Sequence, residues 1–96
     1  MAGNFRIDIH RNSDSLHLKL SGDFDGTSAQ QLIHILDKNL GRAPKVFIHT
    51  GSLRQVYPFG QSIFRNGVQA MNGKNTPLIF TGEKASCLAP ERNSLP

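Results

Sequence analysis

The 96-residue sequence has no tryptophan and only one cysteine, Cys87. A single cysteine excludes an intramolecular disulfide framework and fits a reducing cytoplasm. It cannot build a thiolate zinc site, and the histidines at 10, 17, 34 and 49 show no ligand spacing. No apolar run approaches the ~20 residues needed to span a bilayer. The opening MAGNFRIDIH lacks the basic stretch and apolar block of a secretory signal. A cytoplasmic protein without membrane insertion is therefore expected. Also missing are a nucleophile elbow and a glycine-rich phosphate loop, and Ser52, Ser62, Ser86 and Cys87 have no partner spacing. The expectation is a binding module, not an enzyme, with no catalytic residue, cofactor or metal.

What is present suits one small globular domain, expected over residues 1–90, with ERNSLP (91–96) as a flexible tail. Such a domain buries on the order of two-thirds of the surface its unfolded chain exposes. A formal charge of +4 leaves room for an anionic partner. The lysines and arginines are dispersed, however, and form no basic run or aromatic-basic stripe. A solvated surface accounts for them better than nucleic-acid binding does.

NFRIDIHR and SLHLKLSG alternate strictly: Phe5, Ile7 and Ile9, then Leu16, Leu18 and Leu20, against polar residues. Period-two alternation predicts two half-buried strands, and the turn composition of RNSDS joins them as an antiparallel hairpin. His10 and His17 fall on the outward face as surface histidines. Thr27 followed by Gln30 fits a capping box at the start of a helix carrying Ala29, Leu32, Ile33, Leu36 and Leu40 on one stripe. His34 lies off the stripe, and Gly41 is placed to end the helix.

KVFIHT is a continuous apolar run, as in a strand covered on both faces. Strand, helix, strand in this order implies a parallel, right-handed crossover. A second helix from about Pro58 to Met71 carries Phe59, Ile63, Gly67 and Ala70 down one face, widened by Phe64, Val68 and Met71. NGKNTP breaks it. PLIF supplies a fourth strand, and EKASCLAP one or two helical turns in which Cys87 is a small buried hydrophobe. The fold class is α/β, with a four-stranded mixed sheet: an N-terminal antiparallel hairpin, then parallel β-α-β units, with helices mainly on one side.

The GDFDG segment at 22–26 holds two carboxylates, Asp23 and Asp25, two residues apart. That spacing suits a metal or acid-base work. The flanking glycines and the helix that follows fit turn-shaping carboxylates better, with Gly26 as a candidate for positive φ.

LHLKLSGDFDGTSAQQLIHIL followed by KVFIHTGSLRQVYPFGQSIF resembles the STAS domains, the family of bacterial anti-sigma factor antagonists, over residues ~5–82. The resemblance implies the fold just described and a non-enzymatic role in docking partner proteins. Such a partner is often an anti-sigma kinase that phosphorylates a Ser or Thr where the second long helix begins. The family usually writes that junction as Asp, Ser, Ser or Thr, then Gly. Here the positions are Tyr57, Pro58, Phe59 and Gly60, and the Asp expected at the end of the preceding strand falls on His49. The phospho-acceptor position is Phe59, which carries no hydroxyl. A phosphoserine would add a charge of about −1.5 to −2, and phenyl adds none.

Two readings of Phe59 stand side by side: it packs in the core, or it forms an apolar contact patch with Tyr57 and Pro58. On the second, the partner-binding residues are Arg54, Tyr57, Phe59, Gln61, Ser62 and Arg65, since aromatic and Arg side chains anchor interfaces. Ser62 is also a substitute phospho-acceptor. The resemblance admits an anti-sigma factor or kinase-like partner, or a subunit role in an ABC-type lipid transporter. Helix N-terminal amides and the positive charge keep a nucleotide or other small-anion sensor as a different class.

Overall fold

The computed structural model describes residues 4–39, 44–70 and 77–89. Leu40, Gly41, Met71, the break at 72–76, Pro90 and the expected tail at 91–96 lie outside the described residues. The elements in chain order are β1 (Arg6–Arg11), β2 (Leu16–Phe24), α1 (Gly26–Asn39), β3 (Val46–Val56), α2 (Pro58–Ala70), β4 (Leu78–Thr81) and α3 (Ala85–Leu88).

The first two strands form the expected hairpin, with Leu16, Leu18 and Leu20 buried, although Ile9 on β1 is exposed. β1 and β2 pair antiparallel, with Ile7 opposite Leu20 and Ile9 opposite Leu18. β3 runs parallel to β2, and β4 parallel to β3, giving a four-stranded mixed sheet in the order β1-β2-β3-β4. Parallel neighbours require a crossover, which α1 and α2 supply. Leu16, Leu18, Leu20, Val46 and Ile48 point to one side and form a single core with Ala29, Leu32 and Leu36 of α1, Phe64 of α2 and Leu88 of α3. Aromatic edges lock the layers together: Phe64 meets Phe24 and Phe80 in T-shaped contacts, their centroids 6.1 Å apart in each pair.

Five local expectations are corrected. Helix α1 is not capped by a Thr27–Gln30 box. Asp25 is the cap, its Oδ1 accepting the Ser28 backbone N–H and the Ser28 hydroxyl, both at 2.9 Å. The helix starts early: β2 stops at Phe24, whose carbonyl accepts the Tyr57 N–H, and α1 begins two residues later at Gly26. Thr27 and Gln30 are left exposed. Gly26 is helical, and the positive-φ glycines among the described residues are Gly22 and Gly82.

Strand β3 is covered on one face only. Val46 and Ile48 are buried, whereas Phe47 and His49 alternate to the opposite face and are half-buried there. Along α2 the buried residues are Gly60 and Phe64. Phe59 is turned out by one position, and Ile63 is half-buried. Cys87 is half-buried as well, and it is Leu88 that fills the core from α3.

Candidate functional site

β2 and β3 end side by side, Asp23 level with Gln55 and Phe24 with Val56. Each strand runs directly into a helix, so the N-termini of α1 and α2 meet at one end of the sheet. The approach is close. A β-carbon on Gly60 would lie 2.7 Å from the Asp25 carbonyl oxygen, and one on Gly26 would lie 3.0 Å from the Phe59 ring. At Gly60 the contact is with backbone, and only glycine permits so close an approach.

Pro58 is the first residue of α2, where its fixed φ fits the helix and its missing N–H removes one unpaired donor. This accounts for proline at the junction in physical terms. Phe59 follows with its side chain 70% exposed, and Tyr57 is 41% exposed. Two of the three exposed large hydrophobic residues among those described thus stand at this one junction; Ile9, on the edge strand, is the third. The reading of Phe59 as a core residue is excluded by that exposure.

Beside Phe59 runs an open groove lined by Asp25, Gly26, Thr27, Gln30, Phe59 and Ile63. Its one charged group is Asp25, whose carboxyl is held below its usual pKa by the Ser28 backbone N–H and then the Ser28 hydroxyl. An ionised carboxylate capping α1 already occupies the positive end of that helix's dipole. The groove offers apolar contact and a fixed negative charge, with no nucleophile-base pair among its lining residues.

The other contact candidates divide. Ser62 is exposed on α2 next to the junction. Arg54 is exposed and sits 3.6 Å from the Asp23 carboxylate. Gln61 and Arg65 face the other way and brace the molecule: their side chains donate to the Cys87 carbonyl at 2.8 and 3.2 Å, tying α2 to α3. The structure therefore brings Tyr57, Phe59 and Ser62 to one surface and draws Gln61 and Arg65 toward α3. Gly26, Thr27, Gln30 and Ile63 complete the groove and were not singled out as contacts from sequence. The signal for them was the pair of glycines, Gly26 and Gly60, one near each helix start.

No protein-family model and no curated protein matches the sequence. Similarity appears among solved structures and is a similarity of fold. Mglu superposes with a TM-score of 0.70 at 14% identity, over 80% of this chain and 19% of Mglu. This chain thus spans about a fifth of that longer protein. An anti-sigma-factor antagonist STAS domain from Rhodobacter sphaeroides gives 0.56 at 10% identity, covering 78% of this chain and 85% of that one. A DUF3478-family protein with a SpoIIAA-like fold from Shewanella loihica gives 0.54 at 16% identity, covering 92% and 96%. The chain has a SpoIIAA/STAS-like fold.

Proposed function

We propose that this chain, over residues 1–90, is a non-enzymatic cytoplasmic docking domain of the anti-sigma-factor-antagonist kind, working without the usual Ser/Thr switch. It binds a partner protein through Tyr57, Phe59 and Ser62, with Arg54 at the rim. The observation that carries this reading is the 70% exposed Phe59, a phenyl group at the mouth of α2, in a fold shared with a STAS domain. Leaving a phenyl in water at a helix junction forgoes burial worth about 1.5–3 kcal/mol, and a partner that covers it recovers that energy. The site suits aromatic anchoring, because Phe59 is flanked by a groove and its backbone is held rigid by Gly60 against Asp25.

The same geometry disfavours a nucleotide or other small anion. Asp25 is ionised where an anion would need to sit, and like charges at that distance repel. A second reading, a docking subunit within a larger machine such as an ABC-type lipid transporter, draws on the presence of this fold inside the much longer Mglu chain.

A photo-crosslinking amino acid placed at residue 59 in cells, with residue 9 as control, tests the surface. A protein trapped from 59 and not from 9 is expected, and Phe59→Asp should abolish its co-purification while the domain stays folded. Undiminished co-purification with folded Phe59→Asp would sink the reading. The trapped protein's identity separates a sigma-factor regulator from a transporter component. Phosphate found on Ser62 in the same cells would show a displaced switch, not a lost one.

A further inference from the structure

The face of the sheet that carries no helix holds a row of polar and aromatic residues. Register places His10, His17, Phe47 and Ile79 side by side across the four strands, and Asp8, Lys19, His49 and Thr81 in the next row. Within them runs a continuous hydrogen-bond chain. Ser15 Oγ lies 3.1 Å from His17 Nε2, His17 Nδ1 lies 3.0 Å from His49 Nε2, and His49 Nδ1 lies 2.7 Å from Thr81 Oγ1. The imidazole planes are within 4° and their centroids 5.2 Å apart, so the rings meet edge to edge at the two nitrogens. Phe47 stacks in parallel on His17 at 4.7 Å and holds that ring in place.

This arrangement fixes how many protons the pair accepts. Hydroxyls donate or accept, whereas each imidazole nitrogen does one or the other. With both rings neutral, every contact in the chain is satisfied whether donation runs from Ser15 toward Thr81 or the reverse. One added proton is also accommodated: both nitrogens of one ring donate, and the facing nitrogen of the other accepts. A second proton places N–H against N–H between the rings, and the central bond is lost. A metal ion does not suit the gap as it stands, because two in-line bonds of about 2.0–2.1 Å need nitrogens about 4 Å apart.

We propose that Ser15, His17, His49 and Thr81 form a proton-sharing relay that joins β2, β3 and β4, tolerates one added proton and breaks on the second, making attachment of β4 acid-sensitive. The surroundings oppose the second charge. β1 faces the pair with His10, and β2 with Lys19. From the start of β3, Lys45 lies over the Phe47 ring. β4 contributes Ile79 and Thr81, neither of which titrates in this range. Asp8 is the one carboxylate in the two rows, and it stands opposite Lys19 in the register, two strands from His49.

Consistent with this, the His49 pKa is lowered from 6.5 by burial first, then by His17 and Lys19. A histidine kept neutral by the fold contributes stability above its unfolded value and loses it as pH falls through the lower folded one. The consequence reaches β4 because Thr81 is gripped twice. Its hydroxyl meets His49, and its carbonyl accepts the Thr50 hydroxyl at 2.7 Å.

Nuclear magnetic resonance on the full chain tests the relay between about pH 8 and about pH 5, the range in which imidazoles change charge. Scalar coupling between His17 Nδ1 and His49 Nε2 through the shared hydrogen is expected at the upper end, and it should persist through the first protonation and vanish only once both rings are charged. His17 and His49 should titrate in two separated steps, and β4 amide exchange, corrected for its intrinsic pH dependence, should rise about tenfold on acidification. In His49→Gln the acid response of β4 should disappear. Absence of the coupling in the parent protein overturns the relay without recourse to any variant. Independent, coincident titration of the two rings overturns it equally.

Discussion

Gly60 rests against Asp25 so closely that a β-carbon there would stand 2.7 Å from the Asp25 carbonyl oxygen. This one contact sets the distance between the starts of α1 and α2, and hence the shape of the groove beside Phe59. Gly60→Ala should therefore destabilise the domain by about 1–3 kcal/mol, as overpacking against backbone does, despite alanine's better helix propensity. Gly51→Ala is the control, since a β-carbon there meets nothing within 4 Å. Urea unfolding of the two variants checks the pair, and equal midpoints would contradict the packing.

Asp25→Ala should lower the melting temperature at neutral pH, because it strips the acceptor from both the backbone N–H and the hydroxyl of Ser28. Thr27→Ala, at an exposed helical position, should change stability by less than about 0.5 kcal/mol. The two effects separate further with pH. The Asp25 carboxyl titrates below its usual 3.8, so its stabilisation is present above that value and is lost as pH falls through the lower folded one. Melting curves of parent and Asp25→Ala should differ at neutral pH and converge at the acid end. A constant difference down to the lowest pH would argue against Asp25 as an ionised cap.

How the chain reads as a sequence follows from these residues. The hairpin was legible because Ile7, Leu16, Leu18 and Leu20 alternate with polar residues over enough positions to fix one buried face, and the parallel pairing because strand, helix and strand follow one another. The cap was misassigned because DGTSAQ contains two overlapping starts, Asp25 with Ser28 and Thr27 with Gln30. What distinguishes them is which oxygen the Ser28 N–H reaches, and in the fold it is that of Asp25, directly after β2 ends at Phe24. Phe59 was ambiguous for a similar reason. Phe59, Gly60, Ile63 and Phe64 form a stripe too wide for periodicity to say which edge is buried. The His17–His49 contact spans 32 residues and depends on the register of two parallel strands, which no local pattern contains.

Two phenylalanines on the same helix should respond oppositely. Phe64 is fully buried between Phe24 and Phe80, and Phe64→Ala should cost about 3–5 kcal/mol, enough to unfold a domain of this size near its working temperature. Phe59→Ala removes an exposed ring and should cost less than about 1 kcal/mol. Circular dichroism melts compare them directly. A large loss with Phe59→Ala would return that side chain to the core and remove the basis of the docking surface.

Helix α3 is a single turn, too short to hold itself together, and it stays in place through Leu88 and the paired grip of Gln61 and Arg65 on the Cys87 carbonyl. Two donors on one acceptor are partly redundant. Gln61→Ala or Arg65→Ala alone should cost no more than about 1 kcal/mol, while the double variant should lose more than the sum, because only then does the carbonyl go without either side chain. Cys87 reports the outcome, being half-buried in the same turn. Its rate of labelling by a thiol reagent measures how often α3 lifts away. Each single variant should label a few-fold faster than the parent, and the double variant faster by more than the product of the two. Labelling of the double variant at the parent rate would mean that Leu88 alone holds α3.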